Sequence, residues 1–328
     1  MTAPKSDELL AALRDAGVPA VDLTRRPYRY ATSAPLEELR VRTDDGDELP
    51  LIFKDLSRER LIGQALHSKP PFLWEPRREL ECYRRILTPA GLGPRCFAVV
   101  ADQGIPRHWL FIERVRGVEL WQIGEFPVWE EVGRWLGRLH ASFAARVNEL
   151  RDSNPYLVEH SDSWFRGWHE RALSALSRSE DERAGALRRA LGTYDEVIET
   201  LTDLPRTFLH GEFYPSNVLV VAESPPVQVY PVDWEMAAVG PGIIDLAALV
   251  GGWEQDERRR LVAAYEEAYA AGGEGGITSG EPAVDLSRCR LHLALQWLGW
   301  SPEWRPPPEH AHDWVGEALA LTEELGLR

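Results

Sequence analysis

Apolar and polar residues alternate on both sides of Asp44-Asp45-Gly46-Asp47, with Leu39 and Val41 before it and Leu49, Leu51 and Phe53 after it. A period of two flanking such a turn predicts a β-hairpin over 36–56. It places Ile52 and Lys54 on one face of the second strand and Leu51 and Phe53 on the other. The period then changes to that of a helix over 76–87, where Leu80, Tyr83 and Leu87 form one stripe and Pro76 suits the first turn. Gly91-Leu92-Gly93-Pro94 ends this stretch, and strands are expected around 96–100 and 109–115. The remainder reads as mostly helical. Helices are predicted over 129–145 (stripe Val132, Leu136, Leu139, Phe143), 163–176, 180–201, 245–250, 258–271 and 286–299, with a last one from His312. Three short apolar runs, 207–209, 218–221 and 227–232, read as strands. Gly240-Pro241-Gly242 reads as a loop, 272–280 as a flexible insert and 305–308 as a Pro-rich turn. The pattern contains no internal repeat.

Composition narrows the class. A chain of 328 residues with 44% apolar content can bury a substantial core and usually divides it. No run approaches the ~18 apolar residues of a membrane span, and the first ten residues carry Asp7 and Glu8 without an apolar signal segment. Cys82, Cys96 and Cys289 lie far apart with no CxxC spacing, which points to a reducing cytoplasm and no zinc site. A net charge of -15 argues against nucleic acid as the main partner; it is compatible with a cationic substrate, but an acidic surface more often serves solubility alone. Lysine occurs only at positions 5, 54 and 69. Lys54, inside an apolar strand, is either a solvated edge lysine or a cation facing a cleft, where it could reach nucleotide phosphates.

The chemistry concentrates downstream. His210-Gly211-Glu212-Phe213-Tyr214-Pro215-Ser216-Asn217 lies between two apolar runs, and Asp233 follows a third. A carboxylate, an Asn five residues on and an Asp beyond a hairpin form the skeleton of a kinase-type phosphotransfer site. The first can accept a hydroxyl proton; the Asn and Asp oxygens suit magnesium. Glu79 and Glu81 are both candidates to pair with Lys54. Trp109-Leu110-Phe111-Ile112-Glu113-Arg114-Val115 is a buried strand running into a loop, where a kinase chain crosses between lobes.

These motifs resemble the aminoglycoside phosphotransferase and choline kinase-like superfamily over about residues 25–270. The family loop His-Gly-Asp-x-x-x-x-Asn is matched by His210, Gly211, Glu212 and Asn217, with Glu in place of Asp. The family's Asp-Trp-Glu is matched by Asp233-Trp234-Glu235, its following Asp-Leu-Ala by Asp245-Leu246-Ala247, and its helix ending by Leu139-His140-Ala141. The resemblance implies an α+β, two-lobed protein-kinase-like fold. Residues 1–115 would form a small nucleotide-binding lobe with an antiparallel sheet and a helix, and residues 116–328 a larger, mostly helical catalytic lobe. It implies that Lys54 holds the α and β phosphates with Glu79 as its partner, that Asn217 and Asp233 bind Mg2+, and that Glu212 acts where the catalytic Asp acts. Ile52, Leu219 and Val232 would wall the adenine, Glu113 and Val115 would meet it through their backbone, and Ser33 would lie near a phosphate. His210 and Asp245 would brace the loops.

Two departures stand out. The nucleotide-covering stretch Ala31-Thr32-Ser33-Ala34-Pro35 has no Gly, where protein kinases have several. Glu212 is one methylene longer than Asp, so its carboxylate reaches roughly 1.5 Å further at a similar solution pKa; position, not acidity, is what changes. The expected activity is transfer of the γ-phosphate of ATP or GTP to a hydroxyl of a small molecule such as an aminoglycoside, amino sugar or nucleoside antibiotic. The setting would be cytoplasmic, in antibiotic resistance or secondary metabolism, as a monomer or homodimer with no nucleic-acid or membrane partner. The alternative is a degenerate kinase-like protein that binds a ligand without turnover. On the acceptor side, Trp164, Trp168 and Trp300 are candidates to stack on substrate, as against ordinary helix packing. Glu235, Asp162, Asp256 and Glu309 are acidic candidates for a cationic group.

Overall fold

The computed structural model describes residues 3–28, 34–61, 65–102, 107–223, 225–272, 276–300 and 312–327. Ser33, the 305–308 turn and Glu309 lie outside the described residues. The fold is α+β, with an antiparallel sheet near the N-terminus and a larger helical part after it. The chain forms two compact units, Met1–Gly117 with Tyr230–Glu235, and Val118–Val229 with Met236–Arg328.

The first unit is built on five strands, β1 (Ala20–Pro27), β2 (Leu36–Thr43), β3 (Glu48–Asp55), β4 (Cys96–Ala101) and β5 (His108–Glu113), in the order β1-β2-β3-β5-β4. The β2–β3 hairpin has the register its alternation requires, with Leu39 opposite Leu51 and Val41 opposite Leu49. Leu39, Val41 and Leu51 are fully buried, together with Phe53 and Phe111, and Leu49 is half-buried against them. A helix over Ser6–Asp15 covers this face with Leu9, Leu10 and Leu13. Neither this helix nor β1 was legible in the sequence. The helix has ten residues and a three-leucine stripe, too short to be stable alone. β1 buries only Ala20 and Leu23, and two residues make no recognisable alternation. It is an edge strand, tied down by Arg25, whose guanidinium donates to both oxygens of Glu37 at 2.7 and 2.6 Å, and by Arg26, which pairs with Glu38 at 2.6 Å.

The amphipathic segment after β3 winds as an α-helix over Pro76–Glu81 and as a π-helix over Cys82–Leu87. Leu80, Tyr83 and Leu87 are all buried, so the stripe is as expected while the winding is not. Such wide turns are frequent at functional sites, and this one begins three residues after Glu79.

β6 (Val118–Glu119), β9 (Val218–Val221) and β10 (Gln228–Pro231) form one small sheet in the order β10-β9-β6, with β10 running from the end of the second unit's Val118–Val229 stretch into Tyr230–Glu235. β7 (Val158–Glu159), β8 (Arg206–Leu209) and β11 (Ala238–Pro241) form another, ordered β7-β11-β8. β11 corrects the loop expected at 240–242. Gly240 pairs with Thr207 and Pro241 with Arg206 at the strand's end, where a missing N–H is tolerated. The single helix expected over 180–201 is two, Ala184–Ala190 and Asp195–Asp203, interrupted by a 3₁₀ turn over Leu191–Thr193; Gly192 and Thr193 are weak helix formers at the break. The helices Phe126–Ala144 and Gln255–Gly272 pack closely because Gly137 has no side chain. A Cβ there would lie 2.4 Å from the Tyr265 carbonyl oxygen. Among the described residues no helix is long and apolar enough to cross a membrane.

This core also contains His160 and His292, 2% and 0% exposed. Burial pushes both below the usual imidazole range, His160 well below it and His292 to about 3. Both rings are therefore neutral in the folded protein, whereas the unfolded chain takes up protons near pH 6.5. Stability is then complete above about pH 6.5 and falls as pH drops toward 3, by about 1.4 kcal/mol per pH unit for His292. Urea unfolding between pH 7 and pH 4.5 should show that slope, and His292→Phe should flatten it by about one proton. An unchanged slope in the variant would place the acid sensitivity elsewhere.

Candidate active site

Lys54 sits near the end of β3, 6% exposed, opposite Leu110 of β5. Its Nζ donates to Glu79 Oε2 at 2.7 Å and to Asp233 Oδ1 at 2.6 Å. Glu79 comes from the Pro76–Glu81 helix and is 2% exposed. Glu81, the other candidate partner, instead pairs with Arg84 and Arg85. Burial alone would lower the Lys54 pKa, but Asp233 and Glu79 outweigh it and raise it, so the group is an ammonium. Burial pushes Glu79 up to about 7 against the pull of Lys54. Two carboxylates thus share one ammonium, and burial disfavours the charged form of Glu79.

Asp233 reaches Lys54 from the turn after β10. Its φ is 66°, the only positive value among the described non-glycine residues. Asp is one of the few residues that visit this region at modest cost. Such strain is found at sites where a side chain must be aimed. The turn is anchored by Trp234, fully buried, whose Nε1 donates to the Pro231 carbonyl at 3.0 Å. The Asp233 side chain remains 31% exposed. Glu235 does not present a free carboxylate to a cationic substrate. Lys69 Nζ donates to its Oε2 at 2.5 Å, and Arg78 Nη1 donates to its backbone carbonyl at 2.6 Å. Ile52 and Val232 are half-buried. Glu113 cannot offer its N–H to adenine, because that group already donates to the Arg95 carbonyl at 2.8 Å. Val115 is half-buried just beyond β5.

The second unit holds the His-Gly-Glu loop, which leaves β8 at His210. Asp245, fully buried in the first turn of the Ile243–Val250 helix, accepts the His210 N–H at 2.7 Å and the Gly211 N–H at 2.9 Å. His140 Nε2 lies 3.3 Å from the same carboxylate, and His140 Nδ1 lies 2.8 Å from the Tyr265 hydroxyl. A neutral ring that donates from Nε2 accepts the hydroxyl at Nδ1. Thr207 Oγ1 closes the network by donating to the His140 carbonyl at 2.6 Å. Gly211 has φ 86°, and a Cβ there would lie 2.3 Å from the Met236 carbonyl oxygen. The turn therefore requires glycine. Asp245→Ala leaves two loop N–H groups and His140 without their acceptor. At about 1–3 kcal/mol per buried unsatisfied group, it should destabilise the fold by roughly 3–5 kcal/mol in urea unfolding. A loss under 1 kcal/mol would show that water replaces the carboxylate.

Beyond this brace, the Glu212 N–H donates to His210 Nδ1 at 3.3 Å, and Asn217 Nδ2 donates to the Glu212 carbonyl at 3.0 Å. Glu212 and Asn217 are half-buried, as is Leu219 on β9. With its Nδ2 engaged, Asn217 has Oδ1 left as an acceptor. Phe213 is fully buried and stacks on Trp135 with ring centroids 6.0 Å apart. Among the described residues no three His, Cys, Asp or Glu side chains cluster as metal ligands. Asn217 Oδ1 in the second unit and the Asp233 carboxylate in the first are each hard oxygen donors of the kind magnesium takes.

The aromatic candidates separate. Trp168 is 1% exposed, so it is a packing residue and not a substrate-stacking one. Trp300, half-buried, stacks on it with centroids 6.0 Å apart. Trp164 stacks on His160 at 5.0 Å. The aromatic run continues from Trp300 to Trp297, whose Nε1 donates to the Tyr214 hydroxyl at 2.7 Å. It thereby reaches the loop that carries Glu212. Among the acidic candidates, Asp162 pairs with Arg166 and Asp256 with Arg259. Sequence reasoning did not single out Lys69, Arg78 or Tyr214 as site residues. The scarcity of lysine was the one signal available, and it pointed to Lys69 as well as to Lys54.

A strand lysine held by a helix glutamate, with a braced His-Gly loop in the second unit, is the ground plan of a protein-kinase-like phosphotransferase fold. Residues 36–283 match the family model APH, phosphotransferase enzyme family, and the chain belongs to that family. No curated protein sequence matches it significantly. Solved structures do. Choline kinase LicA from Streptococcus pneumoniae is similar at 15% identity and TM-score 0.59 over 98% of each chain. Macrolide 2'-phosphotransferase MphH from Brachybacterium faecium is similar at 18% identity and TM-score 0.57, also over 98% of each chain. A GDP complex of an aminoglycoside 2'-phosphotransferase gives 13% identity and TM-score 0.61, covering 98% of this chain and 97% of that one.

Proposed function

We propose that this protein transfers the γ-phosphate of ATP or GTP to a hydroxyl of a small molecule. The observation that carries the reading is Lys54, buried and charged, held at 2.7 Å by Glu79 and at 2.6 Å by Asp233. A buried ammonium with two carboxylates has the charge to meet phosphate oxygens when one carboxylate turns to a metal. Asn217 and Asp233 would hold magnesium, which neutralises phosphate charge when bound. Glu212 would accept the proton of the acceptor hydroxyl as its oxygen bonds to the γ-phosphorus and the bond to the β-phosphate oxygen breaks. Ile52, Val232 and Leu219 supply apolar surface for the base. Solved relatives with AMP or GDP bound support a nucleotide as the donor.

The acceptor is best described by class. The tryptophan run from Trp300 through Trp297 to Tyr214 supports a polar small molecule that presents a face to aromatic rings. Aminoglycosides, other amino sugars, nucleoside antibiotics and choline-like alcohols all fit. A nucleoside triphosphate donor fits a cytoplasmic setting, and antibiotic-like acceptors fit a role in resistance or secondary metabolism. The test is transfer of label from γ-labelled ATP or GTP to a panel of these acceptors, with magnesium and with a chelator. The expected result is labelled product from one acceptor class, lost on chelation. Nucleotide binding without transfer to any acceptor would replace this reading with that of a non-catalytic binder.

A further inference from the structure

Lys69 has no role in the reading above, yet like Lys54 it is ion-paired and largely shielded from solvent. It lies in the long excursion between β3 and the Pro76–Glu81 helix. Its side chain is 9% exposed and that of its partner Glu235 is 17% exposed, with 2.5 Å between Nζ and Oε2. The adjoining Arg78 is buried and donates from Nη1 to the carbonyls of Glu235 and of Leu73, at 2.6 and 3.1 Å. It thus ties the excursion to the Asp-Trp-Glu segment. The two ends of that segment are gripped separately, Asp233 by Lys54 and Glu235 by Lys69 with Arg78. After burial and the two carboxylates at Lys54, Glu235 is the next influence on that ammonium. It also acts on Glu79, though less than burial, Lys54 and Asp233 do.

We propose that Lys69 is a positioning residue for the magnesium nucleotide, acting by neutralising and pinning Glu235. The reason is charge balance. Glu79, Asp233 and Glu235 present three carboxylates in the first unit, and Lys54, Lys69 and Arg78 present three cations. If Lys69 loses its charge, Glu235 becomes a half-buried anion that has lost the cation bonded to its carboxylate. Arg78 and Lys54 are the cations left to answer it, since Glu235 acts on both, and any shift of Lys54 toward Glu235 weakens its contacts to Glu79 and Asp233. A loose Glu235 would also compete with Asp233 for a metal. Lys69 therefore keeps Asp233 as the carboxylate open to magnesium and Lys54 as the cation open to phosphate.

This inference rests on the proposed nucleotide site, and the experiment separates the two. Binding of a non-hydrolysable ATP analogue is measured by calorimetry, with and without magnesium, for wild type, Lys69→Gln, Lys69→Arg, Glu235→Gln and the double variant Lys69→Gln/Glu235→Gln. Circular dichroism confirms that each is folded. Lys69→Gln should weaken magnesium-dependent binding roughly 10- to 100-fold, as loss of outer partners of a metal ligand does. Lys69→Arg should retain most of the affinity. The double variant should recover most of the loss, because removing the Glu235 charge removes the need for its counter-ion. Wild-type protein that binds no analogue overturns the functional reading and this inference with it. Wild-type binding with an unaffected Lys69→Gln overturns only the inference. A double variant as weak as Lys69→Gln also overturns it, since Lys69 would then act without Glu235. If Lys69→Gln does not fold, the comparison of Lys69→Arg with the double variant decides in the same way.

Discussion

Glu212→Gln should reduce turnover by ~10²–10⁴-fold while leaving magnesium-nucleotide affinity nearly unchanged. The substitution keeps side-chain length and removes only the proton-accepting charge. The loop around it has little freedom to rearrange. Its His210 and Gly211 N–H groups are fixed on Asp245, the Glu212 N–H is on His210, and the Glu212 carbonyl accepts from Asn217. Glu212→Asp tests position. In a loop adapted to the longer side chain, Asp falls roughly 1.5 Å short and turnover drops. A site descended from an Asp-type loop and since decayed would gain activity with Asp. Single-turnover kinetics on the three proteins separate these outcomes. Equal rates for all three would show that Glu212 has no part in proton transfer.

Asp233→Ala should abolish the magnesium dependence of nucleotide binding and lower phosphotransfer by ~10²–10³-fold or more. Two effects combine. A hard oxygen ligand is lost, and Lys54 keeps only Glu79, the more deeply buried of its two carboxylates. The fold should tolerate the change. Asp233 is 31% exposed, and removing its side chain leaves Trp234 and its bond to the Pro231 carbonyl in place. Its positive φ is the reservation on the choice of residue, so Asp233→Asn, which accepts that backbone region, is the matched control. Calorimetry should show binding that is equal with and without magnesium in both variants, with melting temperatures close to wild type. Magnesium-dependent binding that persists in both would remove Asp233 from the metal site.

The sequence by itself determined the elements whose signal is local. The β2–β3 hairpin follows from alternation around a turn, and its register from the face that must be buried. The stripe of Leu80, Tyr83 and Leu87 fixed one helix face, and the spacing of His210, Gly211, Glu212, Asn217 and Asp233 gave the candidate site its outline. Each of these is a pattern within a few tens of residues, and backbone periodicity is enough to read it. Tertiary structure alone decided the rest. Helix Ser6–Asp15 and β1 exist because the sheet covers them, not because their own residues demand it. β11 forms because β8 offers it a partner, although Gly240 and Pro241 speak for a loop. Glu79 rather than Glu81 meets Lys54 because the Pro76–Glu81 helix turns that one inward and leaves the other to Arg84 and Arg85. Trp168 and Trp300 are alike as residues, yet packing buries one and half-exposes the other. The pair of Lys69 and Glu235 spans 166 positions of the chain. A contact at that range leaves no periodicity in the sequence, and only the folded backbone brings the two charges together.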